Sequence, residues 1–174
     1  MALVKLNDIY STSDSGSNND NFSLESFHVY TGSDRVGTVK DVLVDEQEGL
    51  FRYLIVDTGF WVFGKTVLLP IGLARFDYDA KCVYVDGLTK EQVEHLPEFN
   101  HDLEIDQDYE EQVRGVYRPL IGSRSGSYET PETVYNRDTY SYEQDSSLYR
   151  RNSEENDYIC NFEQQLARRE RLLH

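Results

Sequence analysis

The chain has 174 residues, and its 17 Lys and Arg residues against 32 Asp and Glu residues give a formal net charge of −15 at neutral pH. This length suits one modest domain with appendages rather than two full domains. The acidic balance argues against nucleic acid or an anionic membrane as the main partner, because neutralising phosphates requires clustered Lys and Arg. Hydrophobic residues make up 39% of the chain. This share is somewhat below the usual globular value, so some segments contribute little to a core.

Neither the cysteines nor the N-terminus indicates a secreted or membrane-spanning protein. Cys82 and Cys160 lie far apart and outside any CxxC or Cys/His cluster, so no disulfide framework or zinc site is indicated. The first residues lack the basic start and long apolar run of a signal peptide. No apolar stretch approaches the ~18 residues needed to span a bilayer. We therefore expect a cytoplasmic protein that is soluble or peripheral to a membrane.

Residues 1–21 predict an appendage in two parts. Leu3, Leu6 and either Ile9 or Tyr10 recur at helical spacing, which predicts a short amphipathic piece. A helix this short is stable only when it docks on other structure. The stretch from Ser11 to Asn21 is rich in Ser, Asn, Asp and Gly and has no apolar residue, as is typical of a flexible linker.

Residues 22–85 carry the pattern of short strands. Apolar, β-branched runs, such as the nearly continuous one at 51–58, follow each other at close spacing. Turn residues at 46–49 and 77–81 separate them and predict hairpins. Such spacing predicts a small antiparallel barrel or sandwich, in which closure removes exposed edges.

The next segments predict one short helix and then a clasp. Thr89 is the predicted N-cap of the helix, with Gln92 three residues on, and Pro97 ends it. Residues 101–119 are acidic and only sparsely apolar, so we expect them to lie across the domain as an acidic clasp. The predicted domain therefore spans residues 22–119.

Residues 120–174 predict a tail that ends in a helix. The part at 122–151 is rich in Ser, Tyr and Arg and has too little aliphatic surface to fold independently. It is either a linear segment that binds a partner or a chain that stays disordered without one. The part at 153–174 has acids near its start, arginines near its end and an apolar stripe, which together predict an α-helix. The stripe consists of Ile159, Phe162, Leu166 and Leu173.

The stretch GFWVFGKT at 59–66 satisfies the P-loop expression, with Lys65 and Thr66 in the diagnostic positions. A P-loop needs small residues whose N–H groups wrap phosphate, followed directly by a helix. Here four bulky residues fill the loop, and the β-branched residues up to Pro70 predict a strand instead. We therefore expect a hairpin with an aromatic tip, which either caps the barrel end or forms an exposed contact patch. Its aromatic residues are Phe60, Trp61 and Phe63.

No group of residues predicts catalysis or a metal site. Acidic residues alternate with others at 102–110 as in a calcium loop, but Gln107 and Val113 stand where an EF-hand requires Gly and Glu. The four histidines form no HExxH or triad-like pattern, and no GxSxG elbow occurs. We therefore expect no catalytic residues, no cofactor, no metal and no small-molecule substrate.

Residues 22–99 resemble the PRC-barrel, a domain named after the cytoplasmic part of the H subunit of photosynthetic reaction centres. Several motifs carry the resemblance in the same order. They are a turn at Gly37, the strand at 39–45, the strand at 53–57 and the LLPIG strand at 68–72. The start of the chain and residues 109–119 are similar to extensions of cyanobacterial members. Together with the tail, the expected fold is mainly β: a small antiparallel PRC-type barrel, a short helix and an extended tail that ends in an α-helix.

The resemblance implies a domain that mediates protein contacts, near photosynthetic membranes in one branch of the family and in ribosome maturation in another. We expect a non-catalytic adaptor that docks on protein subunits of a photosynthetic assembly, either a phycobilisome core or a photosystem, at the cytoplasmic face of the thylakoid. The alternatives are an RNA-associated ribosome-maturation-type factor, which the net charge disfavours, and a nucleotide-binding enzyme that uses Lys65.

Partner contact is predicted for aromatic residues of the hairpin tip and the tail and for the terminal helix. Tyr and Arg suit this role because both give large contact area and hydrogen bonds at interfaces. The terminal helix lies either in a groove of a partner protein, which its short stripe favours, or on lipid. The predicted partner-binding residues are Phe60, Trp61, Phe63, Tyr135, Tyr140, Tyr142, Tyr149, Phe162, Leu166, Arg168 and Arg169.

Overall fold

A computed structural model describes residues 3–11, 24–59, 64–100, 105–125 and 136–150, and in addition Ile159, Glu163 and Gln164. The predicted linker, the aromatic tip of the hairpin and most of the predicted terminal helix lie outside the described residues. Ile159, Glu163 and Gln164 have helical backbone, as the sequence predicts for that part of the tail.

The described residues form seven strands, four short or medium α-helices and two 3-10 turns. The strands are β1 Leu3–Lys5, β2 His28–Thr31, β3 Asp34–Asp45, β4 Phe51–Asp57, β5 Thr66–Pro70, β6 Arg75–Asp77 and β7 Cys82–Tyr84. The helices are α1 Leu6–Ser11, α2 Lys90–His95, α3 Gln107–Ser125 and α4 Ser146–Tyr149. The 3-10 turns are Ile71–Leu73 and Tyr142–Asp145.

The strands form one mixed, barrel-like sheet with the order β5-β4-β3-β2-β7-β6. Neighbours are antiparallel except β2 and β7, which are parallel, and β7 also forms an antiparallel hairpin with β6. Within the part of the chain that the structure describes, no pairing joins β5 to β6, so the sheet is open. The mainly-β, barrel-like fold is thus confirmed, whereas the expected closure and uniformly antiparallel pairing are wrong.

The N-terminal residues were predicted as a helical piece, but they begin with a strand. Strand β1 pairs with residues 43–45 at one end of β3, while β2 pairs with residues 34–38 at the other end. The long β3 therefore offers β1 a row of backbone partners that an isolated helical turn lacks. Helix α1 follows directly, and its Leu6 is buried in the core. The expectation that this piece docks on the domain is confirmed.

Local turn and cap signals are confirmed. Gly49 closes the β3–β4 turn with a φ of +69°, and its N–H donates to the Asp45 carbonyl oxygen at 2.8 Å. A side-chain oxygen of Thr89 accepts from the Gln92 N–H, and the Gln92 side chain accepts from the Thr89 N–H, which completes the capping box of α2. The helix ends at His95, two residues before Pro97.

Strand β4 is buried from Phe51 to Val56, so both of its faces are covered. Helix α3 supplies part of the cover on one side. Its buried apolar residues recur every three or four positions, as an amphipathic helix requires. They are Tyr109, Val113, Tyr117 and Leu120. From residue 107 onward the predicted clasp is therefore part of a 19-residue helix, and the predicted domain boundary between residues 119 and 120 lies inside it.

The sheet edge at β5 is covered by hydrogen-bond donors from the segments that follow. The Phe99 N–H donates to the Thr66 carbonyl oxygen at 2.7 Å, and the Tyr117 hydroxyl donates to the Leu68 carbonyl oxygen at 2.8 Å. Exposed strand edges invite pairing with other chains. The covered β5 edge is therefore closed to strand addition at these two carbonyls, and β6 forms the other end of the sheet.

We expect Gly37→Ala to lower the free energy of unfolding by about 1–3 kcal/mol or more, because overpacking forces backbone shifts. A Cβ at Gly37 would lie 2.1 Å from the Asp57 carbonyl oxygen and 2.9 Å from the Thr58 Cα. The matched control is Gly115→Ala on the exposed side of α3, where an added Cβ meets nothing within 4 Å. The control should stabilise by up to about 1 kcal/mol, since Ala favours helix. Urea unfolding followed by circular dichroism measures both, and a Gly37→Ala protein as stable as wild type would contradict the packing.

Candidate functional site

Most predicted partner-binding residues lie outside the described residues, and their role stays a prediction. These residues are Phe60, Trp61, Phe63, Tyr135, Phe162, Leu166, Arg168 and Arg169. The structure places the other three, Tyr140, Tyr142 and Tyr149, on residues 136–150, and all three are buried within the chain. As placed, their rings contact this chain's own domain and offer no open surface.

Residues 136–150, here called the tyrosine segment, pack against the domain beside the Ile71–Leu73 turn. Leu148 is fully buried there. A Cβ on Gly72 would lie 2.5 Å from the Leu148 carbonyl oxygen and 2.8 Å from the Tyr149 nitrogen. Two backbones therefore meet at a distance that only glycine permits. The sequence predicts too little aliphatic surface for independent folding, and the segment is ordered through its contact with the domain.

The contact between the tyrosine segment and the domain, here called the seam, is built from buried hydroxyl and charged groups. The Tyr142 hydroxyl donates to Glu110 Oε1 at 2.7 Å, and the Tyr53 hydroxyl donates to the same oxygen at 3.1 Å. The hydroxyls of Tyr53 and Tyr149 also hydrogen-bond to each other. Arg114 Nη1 donates to the Tyr149 hydroxyl at 3.4 Å and lies 3.9 Å from Glu110 Oε1. Strand β4, helix α3 and the segment thus share one polar network.

A second group of contacts joins the segment to the far part of α3. Arg118 binds Asp145 in a bidentate manner, with two N···O distances of 3.0 Å. The Tyr140 hydroxyl donates to Asp145 Oδ2 at 2.8 Å. The Arg114 guanidinium lies over the Tyr140 ring, 3.8 Å from its centroid. Bidentate pairs of this kind add orientation as well as energy, so the segment is held in one register.

The two carboxyl groups of the seam, Glu110 on α3 and Asp145 on the segment, have pKa values that are shifted in opposite directions from their ordinary values. Burial raises the pKa of Glu110, and the hydrogen bond from Tyr142 and the charge of Arg114 only partly offset this. Burial also opposes ionisation of Asp145, but the hydrogen bonds from Arg118 and Tyr140 outweigh it and hold the Asp145 pKa below its ordinary value. Asp145 is therefore the anion on which the segment's attachment to α3 depends.

The phenols of the seam remain protonated at neutral pH. Burial raises the pKa of Tyr149 to about 12, although the Arg114 charge acts in the opposite direction. Burial likewise raises the pKa of Tyr53, Tyr140 and Tyr142. Tyr53, Tyr140 and Tyr142 therefore keep the protons that they donate to the carboxylates of Glu110 and Asp145.

A cleft of about 540 Å³ opens between the β3–β4 turn and the tyrosine segment. Arg52 lies on its wall, 3.2 Å from Asp45 and 2.8 Å from Glu48, and its guanidinium stacks over the Tyr142 ring at 4.2 Å. The Arg52 guanidinium on this wall is thus already bound by two carboxylates and a ring. Among the described residues, no three His, Cys, Asp or Glu side chains are placed to hold a metal ion.

Lys65, the lysine of the P-loop-like stretch, contacts the end of helix α2. Its Nζ donates to the carbonyl oxygens of Glu94 at 2.8 Å and Val93 at 3.3 Å. These carbonyls belong to the last turn of the helix, where carbonyls lack the usual donors of a continuing helix. Strand β5 follows Lys65, as the β-branched residues predict, and no helix begins there. The ammonium group thus caps α2.

A set of residues that sequence patterns did not single out lies on the outer face of β2, β7 and β6. Adjacent strands place one row of residues inward and the next row outward. The inward row is Val29, Val83 and Phe76, and all three are buried. The outward row is Tyr30, Tyr84 and Arg75. The period-2 alternation in HVYT and CVY was the signal that could have identified these tyrosines.

The outward row forms a surface, here called the outer tyrosine face, that consists of Tyr30, Tyr84, Arg75 and Arg35. The two tyrosine rings stack with centroids 6.0 Å apart and planes at 29°. The Arg75 guanidinium lies 5.5 Å from the Tyr84 centroid, and Arg35 pairs with Tyr30 in the β2–β3 register. The tyrosines are half-buried and both arginines are exposed.

The described part of the chain contains no helix that is both long and apolar enough to cross a bilayer.

We expect Asp145→Asn to lower the free energy of unfolding at pH 7 by about 1–3 kcal/mol, since a charge-assisted hydrogen-bond pair is lost. The folded pKa of Asp145 lies below its ordinary value of 3.8, so its stabilisation is present above that pH and is lost as the pH falls through the folded pKa. The gap between wild type and variant should therefore close below about pH 4. Urea unfolding at pH 7 and pH 3 measures this. Asp138→Asn, an exposed change on the same segment, is the control. A gap that is equal at both pH values would contradict the ion pair.

Comparison with known proteins agrees with the fold. Residues 22–92 match the family model of the PRC-barrel domain. A protein of Deinococcus radiodurans, described as an uncharacterized protein, is 38% identical over 108 residues. These residues make up 58% of this chain and 37% of that protein, so the chain spans little more than a third of its relative. PRC-barrel domains commonly mediate contacts between proteins. The sheet of strands β2 to β7 and the start of α2 thus constitute a PRC-barrel domain at residues 22–92.

Proposed function

We propose that the chain is a non-catalytic adaptor that binds a protein partner through the outer tyrosine face of its PRC-barrel domain. The observation that carries this proposal is the stacked pair of Tyr30 and Tyr84 with Arg75 beside it, on the side of the sheet that faces away from the core. The domain supports the general role in protein interaction.

The chemistry of the face suits a protein partner. Tyr and Arg are enriched where interfaces concentrate their binding energy. Tyr30 and Tyr84 are already stacked on each other, and Arg75 is held between Tyr84 and Asp86, whose carboxylate lies 3.8 Å away. Side chains that are ordered before binding lose less conformational entropy when the complex forms.

The charge around the face favours a protein over nucleic acid. Arg75 lies 3.8 Å from the Asp86 carboxylate, and Asp77 lies two positions along the same strand. Binding to phosphates depends on neutralisation by several clustered cations, which this face and a chain with a net charge of −15 do not provide. If the chain is an RNA-associated factor, this face therefore favours binding to the proteins of an RNA-containing assembly and not to the RNA itself.

We further propose that the partner belongs to a photosynthetic assembly, a phycobilisome core or a photosystem, at the cytoplasmic face of the thylakoid. The support is the resemblance of the strand motifs at 39–45 and 53–57 to the domain of the reaction-centre H subunit. The predicted contacts of Trp61 and of the terminal helix belong to this proposal as a second point of attachment.

Affinity isolation with the full-length tagged chain tests both levels of the proposal. We expect wild type to retain subunits of a pigment-protein assembly from gently solubilised membranes. The double change Tyr30→Ala with Tyr84→Ala should weaken retention by about 10-fold or more, since aromatic anchors dominate interface energy. The matched control, Tyr30→Phe with Tyr84→Phe, keeps the stacked rings and should retain the partner.

The outcomes separate the two levels. Equal retention by the Ala and wild-type proteins, with both folded by circular dichroism, would rule out the outer tyrosine face as the interface. Recovery of ribosomal proteins in place of photosynthetic subunits would support the adaptor function and overturn the proposal of a photosynthetic partner. Deletion of the tail is a poor test, because removing residues 136–150 uncovers the buried groups of α3 and β4.

A further inference from the structure

The seam has the composition of an interface between molecules rather than that of a domain core. The strands bury mostly Val, Leu and Ile, whereas the segment buries Leu148 as its one aliphatic side chain among the described residues, with Tyr140, Tyr142 and Tyr149. The groups that meet them on the domain are largely tyrosine, glutamate and arginine. Tyr and Arg with directed hydrogen bonds characterise protein interfaces.

The buried side chains of the segment meet specific groups of the domain, and Arg114 meets two of them, the Tyr140 ring and the Tyr149 hydroxyl. Tyr142 meets Glu110, Asp145 meets Arg118, and Tyr149 meets Tyr53. Leu148 lies against the bare backbone of Gly72. The segment adds no strand to the sheet, so its position depends on these side chains and not on backbone pairing. Recognition by anchors at fixed spacing is how grooves bind linear peptides.

The connection to the domain does not require that the segment and the groove belong to the same molecule. Helix α3 ends at Ser125 and the described segment begins at Asn136, so residues 126–135 join them. Ten residues can span at most about 35 Å. A segment on a second copy carries the same anchors on the same tether. The covalent link favours the chain's own segment through its effective concentration. Residues beyond the segment add to this preference, since the Phe51 N–H of β4 donates to Glu163 Oε1 at 2.9 Å.

We propose that the groove between β4, the Ile71–Leu73 turn and α3 is a peptide-binding site for tyrosine- and aspartate-bearing segments, and that the segment of a second copy fills it in trans when the chain's own segment is displaced. The anchors of the bound segment are the residues at positions 142, 145, 148 and 149. This site is separate from the outer tyrosine face and goes beyond the proposed adaptor function. Reciprocal exchange of the segment between two copies would form a domain-swapped dimer.

Two complementary full-length variants test the exchange. The groove-blocked variant, Gly72→Val, keeps an intact segment but cannot accept one, because its side chain would occupy the place of the Leu148 backbone. The segment-defective variant, Asp145→Asn with Leu148→Ala, keeps an intact groove but has lost two anchors. We expect each variant alone to elute as a monomer and an equal mixture to contain a heterodimer by size-exclusion chromatography with light scattering.

The matched control carries Gly72→Val, Asp145→Asn and Leu148→Ala together and should form no heterodimer with the segment-defective variant. Absence of the heterodimer in the test mixture, when both variants unfold cooperatively and are folded before mixing, would overturn the proposal.

Amide hydrogen exchange of the wild-type protein tests the proposal even if a variant does not fold. A detachable segment opens without unfolding the sheet, so amides of residues 140–150 should exchange hydrogen at least about 10-fold faster than those of β4. Exchange of both sets at one common, global rate would show that the segment is an inseparable part of the core and would overturn the proposal.

Discussion

A fully buried guanidinium organises the part of the molecule that lies outside the PRC-barrel match. Arg114 has no exposed side-chain surface, and a charge in that position destabilises a protein unless it is paired and hydrogen-bonded. Its partners come from two sources. Glu110 and Glu111 belong to its own helix, whereas the Tyr149 hydroxyl and the Tyr140 ring belong to the tyrosine segment. Helix α3 and the segment therefore depend on each other.

Strand β4 connects this polar seam to the barrel-like sheet. It pairs with β3 and β5 through its backbone, and its Tyr53 hydroxyl lies in the centre of the seam. A strand that is buried on both faces transmits the position of the sheet directly to the groups that bind the segment. The molecule thus has two tyrosine-rich surfaces, an inner surface at the seam and the outer tyrosine face. The inner one is filled by the chain's own residues, and the outer one, around Tyr30 and Tyr84, is the surface that we propose for a partner.

The same residue types therefore have different roles according to what the fold places opposite them. Tyr142 and Tyr149 were predicted to bind a partner because Tyr is common at interfaces, and the seam uses that same chemistry inside one chain. Lys65 resembled a phosphate-binding lysine, yet its ammonium group binds the carbonyls that end α2. In both cases the residue type indicated the kind of contact, and the fold supplied the contacting group.

The sequence by itself determined the features whose causes are local. The turn at Gly49, the capping box of Thr89 and Gln92 and the nearly continuous run of β4 follow from backbone preferences and short-range hydrogen bonds. The strand motifs in their order were enough to suggest the PRC-barrel. Only the tertiary structure decided the parallel pairing of β2 with β7, the docking of the tyrosine segment and the outer tyrosine face. Each of these joins residues that are far apart in the chain. A tyrosine has an apolar ring and a polar hydroxyl, so whether it is buried or exposed depends on whether the fold places a hydrogen-bond partner beside that hydroxyl.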